Sequence, residues 1–172
     1  MLTAKQSLFL DRLSPWALEV DYLSQLKAYE YRSLRSYGFS AILFAAVVIE
    51  ATDWGTHPLS REEYRGKLAN NLTLLPSNSW WDGKKILYKD KEYKLFSSWE
   101  EFCIHFSDLV VFDKKYKDIL LERSYLKQIK LYSLLTDEPK LMYTKLVNIL
   151  DQLGIPYEQQ EHLSLSPSGA EV

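Results

Sequence analysis

Carboxylic acids beside an apolar run are the residues of this chain whose type and spacing could do chemistry. Glu50 ends the apolar run 41–49, and Asp53 follows it directly before a Trp-Gly pair. A third acid, Asp90, lies between two lysines. A carboxyl group acts as a general acid when partial burial lets it hold a proton near neutral pH. An unpartnered buried carboxylate is costly, so Glu50 is expected to reach a hydrogen-bond donor or the edge of a cleft.

Two adjacent tryptophans could supply a flat apolar surface on which a ligand such as a sugar ring stacks. Neighbouring residues of a strand point to opposite faces, so Trp80 and Trp81 cannot both face inward. One of the two is therefore a candidate for ligand contact.

Metal and thiol chemistry are not expected. Cys103 and His105 are two apart on a predicted helix and do not face each other, and His57 and His162 lie in a loop and in the tail. We expect no metal site, no Cys–His nucleophile and no cofactor.

Composition and charge narrow the class of protein. A chain of 172 residues with 47% hydrophobic content can bury one sizeable core, which favours one domain. Its 21 basic and 23 acidic residues are well mixed, so no basic face for nucleic acid is expected. The run 41–49 is about half of the ~20 residues that a membrane span needs, and the first residues lack the pattern of an export signal.

Helix signals dominate the first third of the chain. Thr3 and Gln6 have the spacing of a capping box that starts a first helix. Ser14 and Pro15 are a cap and first-turn pair that predicts a second helix. Ser40 caps the apolar run, whose interleaved small and large residues predict a central helix surrounded by others.

In the middle of the chain the apolar residues no longer recur at helical spacing. The polar stretch 56–71 predicts a surface loop with a short helical piece. Beyond it, Ile86 and Tyr88 alternate with polar residues, as do Tyr93 and Leu95, and this predicts a small β-hairpin with residues 89–91 as its turn.

The last third is again helical. Ser97 and Ser98 each stand three residues before a glutamate, which makes two overlapping capping boxes for a helix. Further helices are predicted over 114–134 and 137–153, the second ending at Gly154. The polar tail 158–172 is expected to be disordered, which leaves residues 1–157 as the domain.

Several stretches occur together in the order and spacing of a known family. They are QSLFLDRLSPWA (6–17), YGFSAIL to DWG (37–55), NNL (70–72), WDG (81–83), SWEEF (98–102) and YTKLVNIL (143–150). In these stretches the chain resembles the bacterial glucosaminidase domain of cell-wall autolysins and flagellar muramidase-type proteins. The resemblance implies a mainly α, α+β fold, lysozyme-like, with a small β-hairpin. It also implies action on peptidoglycan glycan strands in the cell envelope or outside the cell.

The family's general acid is a glutamate at the end of the central helix. Counted without gaps from Gly38 to Trp54, that position is Ala51 here, and Glu50 falls one residue earlier. One residue along a helix is a rotation of about 100°. Either a π-bulge distorts the helix end so that Glu50 still reaches the cleft, or catalysis has been lost.

Three further departures from the family favour loss of catalysis. The NNL motif continues as residues 73–76, TLLP, without the glycine that lets backbone approach a sugar. The family's second carboxylate has no clear equivalent in the hairpin. His105 stands where the family often carries an acid.

The resemblance therefore predicts a noncatalytic relative. Such a module would bind peptidoglycan or a related glycan, or a protein partner, in a cell-envelope or phage assembly. Candidate ligand contacts are Trp80, Trp81, Tyr93 and Asn71. The alternative is an active endo-β-N-acetylglucosaminidase in which Glu50 is the acid, assisted by Asp53 or Asp90.

Overall fold

Six helices and two small antiparallel hairpins make up the part of the chain that the computed structural model describes, residues 1–79 and 81–156. The helices are α1 (Ala4–Arg32), α2 (Ala41–Thr52), α3 (Trp99–Phe112), α4 (Lys117–Leu120), α5 (Tyr125–Leu134) and α6 (Pro139–Leu153). The hairpins pair β1 (Glu63–Tyr64) with β2 (Lys67–Leu68), and β3 (Lys85–Tyr88) with β4 (Lys91–Lys94). This confirms the predicted mainly α class. Trp80 and the predicted tail 158–172 lie outside the described residues.

Helix α2 is the centre of the fold, as the sequence predicts. The Ser40 hydroxyl caps it by accepting from the Leu43 amide. Every residue of 43–49 is buried, and α2 packs against α1, α5 and α6. At its start, the ring of Phe39 contacts Phe106 of α3 edge-on, with centroids 5.1 Å apart.

Helix α1 is continuous, so the predicted break at Ser14 and Pro15 is wrong. Pro15 lies inside the helix, although it removes one backbone donor and costs about 3 kcal/mol in a helix interior. A single buried face runs past it, with Leu13 before the proline and Ala17 and Val20 after it. Packing of that face against α2 and α3 outweighs the local cost, which sequence pattern alone does not register.

Most helix ends follow their local signals. The capping box of Thr3 and Gln6 is complete, and Gly154 ends α6 with a φ of 73°. Two capping boxes were predicted before α3. In the structure the Ser98 hydroxyl accepts from the Glu101 amide, and the Glu101 side chain accepts at Oε1 from the Ser97 amide.

The helix predicted over 114–134 is divided. A 3-10 turn at Lys114–Tyr116 leads into α4, and α5 begins separately after Ser124, whose hydroxyl caps it. The buried side-chain amide of Gln128 donates to the carbonyls of Ile119 and Glu122, and so stabilises this corner in place of helical backbone bonds.

The segment 56–71 contains more structure than predicted. Its short helical piece is a 3-10 turn at Pro58–Ser60, but the two-residue strands of the β1–β2 hairpin, joined at Arg65–Gly66, were not expected. The predicted β3–β4 hairpin is confirmed, with a two-residue turn at Lys89–Asp90, so residue 91 opens β4. Among the described residues, no helix combines the length and apolarity needed to cross a bilayer.

Candidate functional site

Glu50 lies in the last turn of α2 and faces α6. Its Oε2 atom is 3.9 Å from Lys145 Nζ, and its side chain is 25% exposed. Lys145 of α6 is therefore the ion-pair partner of this acid, at a distance longer than a hydrogen bond.

The end of α2 is a regular α-helix through Thr52, without the π-bulge that the sequence left open. The helix stops at Asp53, which adopts a left-handed conformation with a φ of 48°, and its amide bonds to the Ile49 carbonyl. Glu50 and Ala51 are therefore separated by the ordinary rotation of about 100°.

Because of this rotation, Glu50 and Ala51 face different helices. Ala51 comes seven residues after Phe44 and so shares its helical face. Phe44 contacts Phe106 of α3, with ring centroids 5.3 Å apart. The face that carries Ala51 is thus the α3 side of α2, whereas Glu50 is turned toward Lys145 of α6.

Two phenols lie beside α2, the buried Tyr116 and the partly buried Tyr132, and both rings contact Phe39. Burial raises the pKa of Tyr132, and the neighbouring Tyr116 and the Glu50 carboxylate raise it further. Burial, with a smaller contribution from Asp113, raises the pKa of Tyr116 to about 12. Both phenols therefore stay protonated at neutral pH.

Asp53 is exposed, and its backbone ties the end of α2 to the segment that follows. Its carbonyl accepts from the Thr56 amide and hydroxyl at 3.2 and 2.9 Å. The His57 amide then donates to the Thr52 carbonyl at 3.0 Å. His57 is thus held next to the C-terminal end of α2.

Four half-buried aromatic side chains continue from this point across both hairpins. They form a patch that we call the tyrosine row, made of His57, Tyr64, Tyr88 and Tyr93. The centroid of Tyr88 is 5.1 Å from that of His57, 5.8 Å from Tyr64 and 6.3 Å from Tyr93. Rings that are packed against one another yet partly open to solvent make a rigid apolar surface with polar hydroxyl edges.

Cations from both hairpin turns border the tyrosine row. The Arg65 guanidinium is 5.2 Å from the Tyr64 ring centroid, and Lys89 Nζ is 5.6 Å from that of Tyr88. Burial, followed by the charge of Lys89, lowers the pKa of His57. Asp90 shares the Lys89 turn and is exposed there, with a φ of 67°.

Trp81 packs at the base of the β3–β4 hairpin. Its Nε1–H donates to the Lys84 carbonyl at 2.8 Å, and its ring centroid is 5.5 Å from Phe96 and 5.1 Å from His105. The partly buried ring lines a groove of about 290 Å³, together with Leu68 of β2. Glu50 does not line this groove.

Asn71 is fully buried and braces the hairpin. Its side-chain nitrogen donates to the carbonyls of Leu75 and Lys94, both at 2.9 Å, and its oxygen accepts from the Leu75 amide at 2.8 Å. With no exposed atom, Asn71 positions the segment that pairs with β4.

His105 stands beside a buried lysine. Lys94 Nζ lies 3.0 Å from His105 Nε2 and 5.0 Å from the centroid of the Trp81 ring. Burial, followed by the charge of Lys94, lowers the pKa of His105, and burial also lowers the pKa of Lys94. Because an ammonium group only donates, the neutral imidazole accepts the hydrogen bond.

Sequence reasoning identified one member of the tyrosine row, Tyr93, as a ligand contact. The register of β3 and β4 places Tyr88 on the same hairpin face as Tyr93. His57 and Tyr64 come from the segment interpreted as a loop, so no pattern connected them to the hairpin. Within residues 1–79 and 81–156, no group of three or more acidic, histidine or cysteine side chains is arranged to hold a metal ion.

The fold is that of known peptidoglycan hydrolase domains. The glycoside hydrolase domain of FlgJ from Salmonella typhimurium superposes with a TM-score of 0.66 at 19% identity, over 96% of each chain. A mutant of the peptidoglycan hydrolase from Sphingomonas sp. A1 gives a TM-score of 0.67 at 18% identity, over 94% of this chain and 98% of that chain. The catalytic domain of the autolysin Auto from Listeria monocytogenes gives 0.63 at 13% identity, over 94% and 89%.

No protein-family model and no curated protein sequence matches the chain. At the level of the fold, the structural neighbours confirm the resemblance to the glucosaminidase domain that the sequence motifs indicated.

Proposed function

We propose that this protein is a noncatalytic glycan-binding module with the glucosaminidase fold, which holds peptidoglycan strands without cleaving them. Its structural neighbours are described as peptidoglycan and glycoside hydrolases, and this supports a glycan of that class as the ligand. A place in a cell-envelope or phage assembly follows from the same ligand. A protein partner is the other occupant that the sequence left open.

The observation that carries this proposal is the direction of Glu50. The acid is directed to Lys145 on α6, while the next position, on the α3 side of α2, is an alanine that has no proton to donate. A general acid must lie within hydrogen-bond reach of the oxygen that it protonates. In this arrangement the carboxyl group has a structural partner instead.

The tyrosine row is the proposed binding surface. Its rings present faces for stacking sugars, and Arg65 and Lys89 provide positive charge for the carboxylates of a peptidoglycan strand. Tyr93 contributes from β4, and Trp81 offers a further ring in the separate groove at the base of the hairpin.

An active glycosidase is the second candidate, because Glu50 keeps a quarter of its side chain exposed at the end of α2. In that mechanism the exposed Asp53 or Asp90 would assist. Replacement of the Glu50 carboxyl by an amide distinguishes the two functions, since only the enzyme depends on its proton.

Co-sedimentation with purified, insoluble peptidoglycan tests the binding function. Tyr88→Ser is expected to weaken binding about tenfold, because it removes the central ring of the tyrosine row. The control is Tyr31→Ser, which removes a 62% exposed tyrosine of α1 that contacts Phe112 and no part of the row. If wild type stays in the supernatant, or if both variants bind like wild type, the proposal is wrong.

A further inference from the structure

A second groove lies at the opposite end of α2 from Glu50. It has a volume of about 600 Å³ and runs between the C-terminal half of α1 and the segment 34–37. Asp21 of α1 accepts from the Ala41 amide at 3.1 Å, which fixes this place at the start of α2. Nine residues separate Ala41 from Glu50, or about 14 Å along the helix, so this groove is distinct from the site at the end of α2.

Three exposed tyrosines line this groove, which we call the α1 groove. Tyr22 is 60% exposed, Tyr29 65% and Tyr37 53%. In the part of the chain that the structure describes, none of the three rings packs against another aromatic ring. Exposed rings grouped around one concavity are unlike scattered surface residues and mark an interaction site.

The walls of the α1 groove are fixed before any ligand arrives. The Tyr37 amide and the Ser36 hydroxyl both donate to the Leu120 carbonyl, at 2.8 and 3.0 Å. Gly38 follows with a φ of 82°, and a Cβ there would lie 2.5 Å from Asp21 Oδ1. The segment is therefore pressed against α1, and little conformational entropy is lost when a ligand binds.

One guanidinium group lines the α1 groove. Arg35 is the one charged side chain among its lining residues, and it forms no ion pair within residues 1–79 and 81–156. The nearby Asp21 carboxylate is engaged by Gln25 Nε2 at 2.7 Å as well as by Ala41. A ligand with a carboxylate therefore meets a guanidinium that has no ion-pair partner among the described residues, and a guanidinium binds carboxylates well.

We propose that the α1 groove is a second glycan-binding site that takes a sugar strand bearing carboxylate groups. Flat rings suit the apolar faces of sugars, while Arg35, Gln25 and the phenolic hydroxyls suit hydroxyl and carboxylate groups. The inference rests on the proposed glycan binding and adds that one strand, or two neighbouring strands, contact the protein near both ends of α2.

Titration of the isotopically labelled full chain, followed through assigned backbone amide resonances, tests both sites separately. The probes are a carboxylated GlcNAc–MurNAc tetrasaccharide and the neutral tetrasaccharide of GlcNAc. Amides of residues 22–37 are expected to shift with both probes and to saturate at lower concentrations of the carboxylated one.

Two variants and a control sharpen the test. Arg35→Gln is expected to lower the affinity of the α1 groove for the carboxylated probe about tenfold. Its affinity for the neutral probe should stay unchanged. Tyr29→Ser is expected to lower the affinity of the α1 groove for both probes about tenfold. Tyr31→Ser, an exposed tyrosine of α1 outside the groove, is expected to bind both probes like wild type.

The outcomes separate the two proposals. Shifts confined to the tyrosine row would overturn this inference and leave the proposed function standing. Shifts confined to residues 22–37 would support this inference and exclude the tyrosine row as the binding surface. No shift at either place would overturn both. A response of residues 22–37 to a proline-rich peptide, with none to either saccharide, would also overturn the inference.

Discussion

Glu50 and Lys145 join the central helix to the last helix, with Oε2 and Nζ 3.9 Å apart. The side chains are 25% and 48% exposed, so solvent screens the pair. The geometry gives the one acid at the end of the apolar run a partner on α6.

Removal of the lysine is expected to have a small effect on folding. Exposed ion pairs contribute about 0–1 kcal/mol, so Lys145→Ala should lower the free energy of unfolding by no more than that. Urea unfolding monitored by tryptophan fluorescence measures it. A loss of about 3 kcal/mol or more would mean that the pair is buried and essential to the fold.

Asn71 is expected to be essential for stability. Asn71→Ala removes the side-chain bonds to the Leu75 amide and to the Leu75 and Lys94 carbonyls, and of these groups the Leu75 carbonyl still accepts from the Lys94 amide. We expect a loss of about 2–4 kcal/mol in the free energy of unfolding, because unsatisfied buried groups cost about 1–3 kcal/mol each. Asn148→Ala, at an exposed position of α6, is the matched control and should change it by about 0.5 kcal/mol or less. Similar small losses in both variants would refute the bracing role.

The proline inside α1 offers a stabilising substitution. Pro15 is exposed, and alanine restores the missing helical donor at a position where the helix is already continuous. The gain is offset in part by the greater freedom of the unfolded chain, so Pro15→Ala should add about 1–2 kcal/mol. Thermal unfolding checks the direction. A lower melting temperature than wild type would show that the proline is required.

Acid is expected to destabilise the protein through His105. Burial and the charge of Lys94 lower its pKa, and the carboxylates of Asp108 and Glu101 oppose them. The folded state therefore takes up this proton at a lower pH than the unfolded chain does. Stability is fully present above the unfolded pKa, about 6.5, and is lost as the pH falls toward the folded value.

His105→Gln isolates this contribution, because glutamine keeps an acceptor for Lys94 and does not titrate. Urea unfolding at about pH 7.5 and about pH 5 should show a smaller acid loss in the variant than in wild type. Burial also lowers the pKa of His57, so some pH dependence should remain. The control is His57→Asn, which removes the titration of His57, leaves that of His105 and keeps an acceptor for the Leu59 amide. Equal acid losses in wild type and His105→Gln would exclude the His105 contribution.

Local signals predicted much of the fold, and contacts between distant segments decided the rest. The caps at Thr3, Ser40, Ser98 and Gly154 depend on neighbouring residues, so they can be found from sequence. The continuity of α1 past Pro15 depends on packing against α2 and α3, which no local pattern records.

The site was less predictable for the same reason. The register count separated Glu50 from the family position at Ala51, but its partner on α6 could not be inferred from spacing. The tyrosine row draws on a loop and two hairpins, one of which has strands of two residues. Such strands are too short to show alternation, so Tyr64 gave no signal.

Release of reducing ends from purified peptidoglycan is the most direct test of the central claim. We compare wild type, Glu50→Gln and Ala51→Glu, each checked for retained binding by co-sedimentation. The account predicts that wild type and Glu50→Gln bind the polymer and release nothing above buffer. Release by Ala51→Glu alone would identify residue 51 as the place of the missing proton donor. Release by wild type that Glu50→Gln abolishes would contradict the account and make this protein a glycosidase with Glu50 as its acid.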